Sequence, residues 1–198
     1  MKLRVLAAPD RHWEQADGFP PLRPGEVHLW CASAQRPGGR GRLCLLVARY
    51  LRVTPRSIRL GRQPNGRPIL LSPAAVPPLR FSVTHSKDRV LYALTRGGEI
   101  GVDVEQFRPG LDWRGLAERF FAPAEARELR HARPAAGRAG FYGLWTLKEA
   151  MAKADGASLL DWLRADLSER MTPEWRVWSW PMPGGAAAVA CKSRETAC

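Results

Sequence analysis

The stretch from Phe141 to Gly156 constrains this chain more than any other. Phe141, Leu144, Trp145, Met151 and Ala154 fall on one apolar stripe at helical spacing, and Gly156 stands where such a helix would stop. Lys148, Glu149 and Lys153 lie off that stripe. Glu149 and Lys153 are four apart and so share a face. A second stretch, Ile100-Gly101-Val102-Asp103-Val104-Glu105, alternates with the period of a strand. It sends Ile100, Val102 and Val104 into a core, and Gly101, Asp103 and Glu105 to the other face. Two neighbouring carboxylates repel unless a cation or a proton intervenes. Magnesium takes hard oxygen ligands and is found with phosphates. Three acids and a lysine converging from these two elements would make a magnesium site with cationic support for phosphate.

The rest of the chain supplies a scaffold for such a site. Glu26–Trp30 reads as the first ordered strand, followed by a Gly/Arg-rich loop over 35–41 and an amphipathic helix over 41–52. Ser57–Leu60 reads as a strand before the turn Pro64-Asn65-Gly66. Phe81–His85 and Arg89–Leu94 read as a hairpin around Ser86-Lys87-Asp88. Beyond Gly97-Gly98 comes the acidic strand. Asp112 is placed to cap a helix through Phe120, and Pro123 to open another. Residues 174–180 and 186–191 close the chain as a hairpin. Helices packed on antiparallel strands in both halves predict an α+β fold of two lobes, 1–101 and 102–198, intertwined into one unit with the site at the seam.

Charge narrows the partners. Thirty-one Lys+Arg against 19 Asp+Glu leave a net charge of +12, which favours an anionic partner. A 45% hydrophobic composition is enough for a core. The 4 cysteines, Cys31, Cys44, Cys191 and Cys198, fall in no zinc or Cys-x-x-Cys spacing, as expected of reduced thiols. The first residues carry too short an apolar run for a signal peptide, and no run is long enough for a bilayer. A cytoplasmic protein that does not engage a membrane is expected.

His85, flanked by Thr84 and Ser86 after apolar Phe81 and Val83, suggests a further part of a site. The set Phe81-Ser82-Val83-Thr84-His85-Ser86, Ile100–Glu105 and Phe141-Tyr142-x-Leu144-Trp145-Thr146-Leu147-Lys148-Glu149-Ala150-x-x-Lys153-Ala154-x-Gly156 resembles the two-lobed 4'-phosphopantetheinyl transferases that activate peptide and polyketide synthases. Asn65-Gly66-Arg67-Pro68 stands where that family usually has Gly-Lys-Pro. The resemblance covers roughly residues 24–190. It implies a pseudo-twofold fold and transfer of the phosphopantetheine arm of coenzyme A to a serine of an acidic carrier protein, with Mg²⁺ and release of 3',5'-ADP. It further implies that Asp103, Glu105 and Glu149 hold the metal, that Glu149 takes the serine proton, and that Lys153 stabilises the pyrophosphate. His85 and Thr84 would contact coenzyme A phosphates, Arg67 and Pro68 would border its adenine end, and Arg40 and Lys148 would join the coenzyme contacts. Between Trp30 and Leu43 the chain is shorter than in relatives, with Arg36, Arg40 and Arg42 as substitute cations.

Other readings stand beside this one. A non-catalytic binder of coenzyme A or carrier protein would share the same residues. A magnesium-dependent nuclease would use the same acids, but a common nuclease layout has a lysine two residues after the second acid, where this chain has Phe107. A nucleic-acid module would need a basic helix or an aromatic strand platform, and neither is evident, so no nucleic-acid partner is expected. Two lobes in one chain allow a monomer to form the site.

Overall fold

A computed structural model describes residues 1–7, 19–33, 39–63 and 66–193. The strands are β1 (Lys2–Ala7), β2 (Glu26–Ser33), β3 (Arg59–Arg62), β4 (Pro68–Ser72), β5 (Arg80–Ser86), β6 (Arg89–Thr95), β7 (Glu99–Gln106), β8 (Trp175–Met182) and β9 (Gly185–Lys192). The helices are α1 (Gly39–Leu51), α2 (Trp113–Phe120), α3 (Pro123–His131), α4 (Pro134–Asp155), α5 (Leu159–Arg164) and α6 (Leu167–Arg170). The fold is α+β. One sheet runs β1-β2-β6-β5, a second runs β7-β9-β8, and β3-β4 form a separate two-stranded ribbon.

Period two decides how these layers stack. On β2 and β6, Trp30, Val90, Tyr92 and Leu94 face α1 and form one core with Leu43, Leu46 and Val47. The alternate residues Val27, Leu29, Leu91 and Ala93 turn the other way and pack on Ile100, Val102, Val104, Ala187 and Val189 of the second sheet. The two sheets therefore share a core. The far face of the second sheet carries α4, and the contact is close because β9 presents Ala188 and Ala190 to Ala150 and Met151. Gly101 is required by the same approach: a Cβ there would collide with the Ala150 carbonyl. The glycine beside the two acids thus lets α4 lie directly on β7, which brings helix and strand side chains together.

Several expectations shift in detail. β1 was not anticipated; it pairs in parallel with β2, from Lys2 opposite Glu26 to Ala7 opposite Cys31. Its four alternating polar and apolar positions sit at a sheet edge. Pro55–Ser57 form a 3-10 turn, so the strand begins at Arg59 rather than Ser57. The helix expected from 41 starts at Gly39, taking in part of the expected loop, of which residues 35–38 lie outside the described residues. Pro64 and Asn65 of the expected turn also lie outside them, while Gly66 has a φ of +82°. Helix α4 begins at Pro134, before the expected Phe141. Gly137 lies in that extra turn because a Cβ would meet the Trp113 ring. Asp112 caps α2 as expected, accepting from the Gly115 amide at 3.0 Å, and Gly156 ends α4 with a φ of +71°. The expected boundary at 101/102 falls inside β7.

Candidate active site

β7 and α4 build the centre of the site. Asp103 is 2% exposed, and Glu105 and Glu149 are half-buried beside it. One carboxylate oxygen from each of the three lies within 4.8 Å of the others. Lys153 Nζ donates to Asp103 Oδ1 at 2.6 Å and stands 3.6 Å from Glu149 Oε2. The Val102 carbonyl accepts from the same ammonium at 3.3 Å. The Glu149 carboxylate is held by the Trp145 indole, whose Nε1 donates to Oε1 at 2.7 Å. Glu105 accepts from Ser86 Oγ at 3.3 Å and pairs with Arg108 at 3.5 Å.

Asp103 is the tense member of this group. Burial pushes its carboxyl pKa up; Glu149 adds to that push, while the Lys153 ammonium and the Thr84 hydroxyl hold it down. Its Oδ2 is buried with no hydrogen-bond partner, although Oδ1 has two. A magnesium ion bonds oxygens at about 2.0–2.1 Å, so ligands across it stand about 4 Å apart. Neighbouring ligands of an octahedron stand about 3 Å apart, so the three carboxylates, now within 4.8 Å of one another, would draw together to share one ion. An all-oxygen donor set with an orphaned buried oxygen among its members fits a hard divalent cation.

Open spaces flank the acids. On the Lys153 side lies a cavity of about 430 Å³ lined by Arg40, Arg62, Arg67, Pro68, His85 and Lys153. Glu105 and Glu149 border a separate groove of about 200 Å³ with Arg108, Leu111, Tyr142 and Trp145. The acid–lysine cluster contributes Lys153 to the basic cavity and Glu105 and Glu149 to the groove.

Residues 99–180, which hold the three acids and Lys153, match the family model of the 4'-phosphopantetheinyl transferase superfamily. This stretch of the chain is similar to that superfamily. Among curated relatives, the 4'-phosphopantetheinyl transferase HetI of Nostoc sp. is 37% identical over 118 residues, which is 60% of this chain and 50% of that protein. AcpT of Salmonella typhi is 37% identical over 114 residues, covering 58% of this chain and 56% of its own. A 4'-phosphopantetheinyl transferase of Bacillus subtilis is 33% identical over 114 residues, covering 57% and 48%. The chain thus spans about half the length of the curated relatives it matches.

The residues expected from the superfamily resemblance divide into three groups. Asp103, Glu105, Glu149 and Lys153 come together. Arg40, Arg67, Pro68 and His85 all line the basic cavity, His85 exposed and Arg40 donating to the Leu60 carbonyl at 2.8 Å. Arg67 also reaches inward, donating to the carbonyls of Lys153 at 3.0 Å and Ile100 at 2.9 Å and pairing with Glu99 at 3.4 Å. Arg36 lies outside the described residues.

Thr84 and Lys148 are placed differently. The Thr84 hydroxyl donates to Asp103 Oδ1 at 2.9 Å from a buried position. Lys148 is fully buried rather than off the apolar stripe, and its ammonium is spent on Glu125 Oε2 at 2.6 Å and the carbonyls of Leu163 and Ala165 at 2.9 and 2.6 Å. Burial lowers its pKa, and the Glu125 carboxylate opposes that. With all three donors occupied, it has none for a coenzyme. Sequence reasoning missed Glu125, Trp145 and Arg108. Trp145 is four residues before Glu149 on one helix and Arg108 three after Glu105, so spacing carried a signal for both; Glu125 is 23 positions from Lys148 and had none.

Proposed function

We propose that this protein is an enzyme that transfers the 4'-phosphopantetheine arm of coenzyme A to a serine of an apo carrier protein, releasing 3',5'-ADP with Mg²⁺ as the metal. The observation that carries the reading is that the acid–lysine cluster lines two spaces, a cavity shared by Lys153 with Arg40, Arg67 and His85 and a groove bordered by Glu105 and Glu149. The basic cavity suits the phosphates and adenine of coenzyme A. The groove would give a carrier serine access to Glu149.

Asp103, Glu105 and Glu149 would hold the divalent ion, which would neutralise pyrophosphate charge and polarise the reacting phosphorus. The chain's own residues supply the rest. Glu149 takes the serine proton, with the Trp145 indole fixing its other oxygen. The serine oxygen then attacks the phosphorus bearing the pantetheine arm, and the pyrophosphate bond breaks. Lys153, already beside Asp103 and Glu149, places positive charge where the leaving phosphate oxygen becomes anionic. The net charge of +12 supports an acidic carrier domain as acceptor. Free thiols at Cys31, Cys44 and Cys191, and no helix among the described residues able to cross a membrane, support a cytoplasmic setting. A single chain supplies both the cavity and the acids, which supports a working monomer.

The test is incubation with coenzyme A, Mg²⁺ and a panel of apo carriers. A carrier heavier by one phosphopantetheine arm is expected in the mass spectrum. Coenzyme A binding by calorimetry with no mass gain on any carrier would favour a non-catalytic binder instead.

A further inference from the structure

The junction between the two sheets has an unusual chemistry. β5 is the last strand of the first sheet and β7 the first of the second, and they lie alongside each other without joining into one ladder. Abutting strand edges ordinarily pair through their backbones or are covered. Here side-chain hydroxyls do the joining. Ser82, Thr84 and Ser86 are spaced by two on β5 and so share a face, while Phe81 and Val83 turn into the first core. Ser82 Oγ accepts from the Val102 amide at 3.2 Å. Thr84 Oγ1 donates to Asp103 Oδ1 at 2.9 Å. Ser86 Oγ donates to Glu105 Oε2 at 3.3 Å and accepts from the Gln106 amide at 3.2 Å.

We infer that Ser82, Thr84 and Ser86 form a hydroxyl seam that aims the carboxylates of Asp103 and Glu105, so that the first half of the chain orients two of the three acids carried by the second. The inference rests on the metal reading proposed above. Thr84 is the decisive member. A hydroxyl has one proton to give, and a phosphate oxygen needs a donor. The Thr84 proton is directed at Asp103, so this side chain acts through Asp103 and is a positioning residue. With Oδ1 engaged by Thr84 and Lys153, Oδ2 is the oxygen left open. Without the hydroxyl, the carboxylate loses one of the two bonds that fix its rotation. β-Branching restricts χ1 of Thr84, which holds the hydroxyl direction more firmly than serine would. Ser86 does the same for Glu105 at the rim, and Ser82 ties the backbone of β7 just before Asp103. Partners behind metal ligands typically affect metal affinity by about 10–100-fold.

The experiment compares the full chain with Thr84→Val, Thr84→Ser and Ser86→Ala. Mn²⁺ binding is titrated by electron paramagnetic resonance with no coenzyme present, and coenzyme A binding is measured separately by calorimetry in EDTA. Thermal melts accompany each variant, and half-buried Ser86 carries the reading if Thr84→Val does not fold. Thr84→Val and Ser86→Ala are expected to weaken Mn²⁺ binding by about tenfold, with Thr84→Ser restoring most of it. Coenzyme A affinity in EDTA is expected to stay unchanged in all three. Wild-type Mn²⁺ affinity in folded Thr84→Val and Ser86→Ala overturns the seam, as does loss of coenzyme A binding by Thr84→Val in EDTA. A wild-type chain that binds no Mn²⁺ overturns the metal reading itself, and the two failures are therefore distinct.

Discussion

Helix α4 carries two charged clusters that begin one residue apart. Lys148 and Glu149 are neighbours, but successive helix positions are turned by about 100°, so they face different surroundings. Lys148 points into a closed pocket where Glu125 and two carbonyls take all of its donors. Glu125 in turn also accepts from the Ala122 and Leu167 amides, which ties α3, α4 and the start of α6 into one knot. Glu149 points toward Asp103, Glu105 and Lys153, where Asp103 Oδ2 is buried without a partner. The first cluster is complete by itself; the second lacks something. A satisfied buried ion pair holds a fold in place, whereas an unsatisfied one marks a place for a ligand.

Substitutions can break that contrast, and the largest effect belongs to the open cluster. Asp103→Asn and Glu149→Gln are each expected to lower carrier modification by about 10³-fold or more, since metal and charge support of this kind is worth several kcal/mol. Asp103→Asn removes a charge that burial disfavours, so its melting temperature should equal or exceed that of the wild type. A variant that melts much lower yet retains transfer would erase the distinction between the clusters.

The closed cluster predicts the reverse. Lys148→Met leaves Glu125 charged and unpaired in the interior, which costs about 3–5 kcal/mol. That corresponds to a melting temperature lower by about 10 °C for a chain of this size. Adding Glu125→Leu should recover only part of the loss, because it removes the unpaired charge but leaves the Ala122 and Leu167 amides without their acceptor. Circular dichroism melts would show this, and wild-type melting of the single variant would mean that the knot does not secure the helix.

Exposed charge is a third case, with a smaller effect. Raising NaCl from about 50 to about 500 mM shortens the Debye length and should raise KM for an acidic carrier several-fold, with less change in kcat. A KM indifferent to salt would detach the net charge of +12 from carrier recognition.

The smallest effect is expected far from the site, at a buried histidine. The Tyr50 hydroxyl accepts from Trp30 Nε1 at 2.8 Å and stands 2.7 Å from His28 Nδ1. The other ring nitrogen, Nε2, stands 3.5 Å from Glu26. Burial lowers the His28 pKa; Glu26 opposes the shift and Arg4 adds to it. An unfolded chain therefore binds a proton here at a higher pH than the folded one. Stability from this group is complete above the unfolded pKa near 6.5 and falls as pH drops below it, by up to about 1.4 kcal/mol per pH unit. The buried Asp103 carboxyl, whose pKa is raised, contributes the opposite slope in the same range, so the reading is the difference between melts of the two chains. His28→Gln should lose less stability than the wild type, by a few degrees, as pH falls from about 7 to about 5. An unchanged slope in the variant would assign it to other groups.

Legibility in the sequence followed the range of the interaction. The acids on β7, the stripe and stop of α4, the Asp112 cap and the β5–β6 hairpin were readable because each depends on residues within a turn or a pleat of one another. β1 was missed because its short alternation acquires meaning only beside β2. Gly137 weakens a helical pattern locally and is explained by the Trp113 ring against it. Lys148 was assigned to the wrong environment because a lysine is ordinarily solvated, and nothing near it in sequence announces Glu125.

The sequence alone determined which groups could act: two acids on alternate strand positions, an acid and a lysine a turn apart on a helix, and a basic chain to attract an anion. Those are local periodicities, and local sterics enforce them. Tertiary structure decided which of these groups stay available. By laying α4 on β7 across Gly101, it gathered Asp103, Glu105, Glu149 and Lys153 and left one oxygen open. By closing Glu125 over Lys148, it took an equally charged neighbour out of play. Partners at that separation meet only after the chain has folded, so only the packed molecule could tell the two lysines of α4 apart.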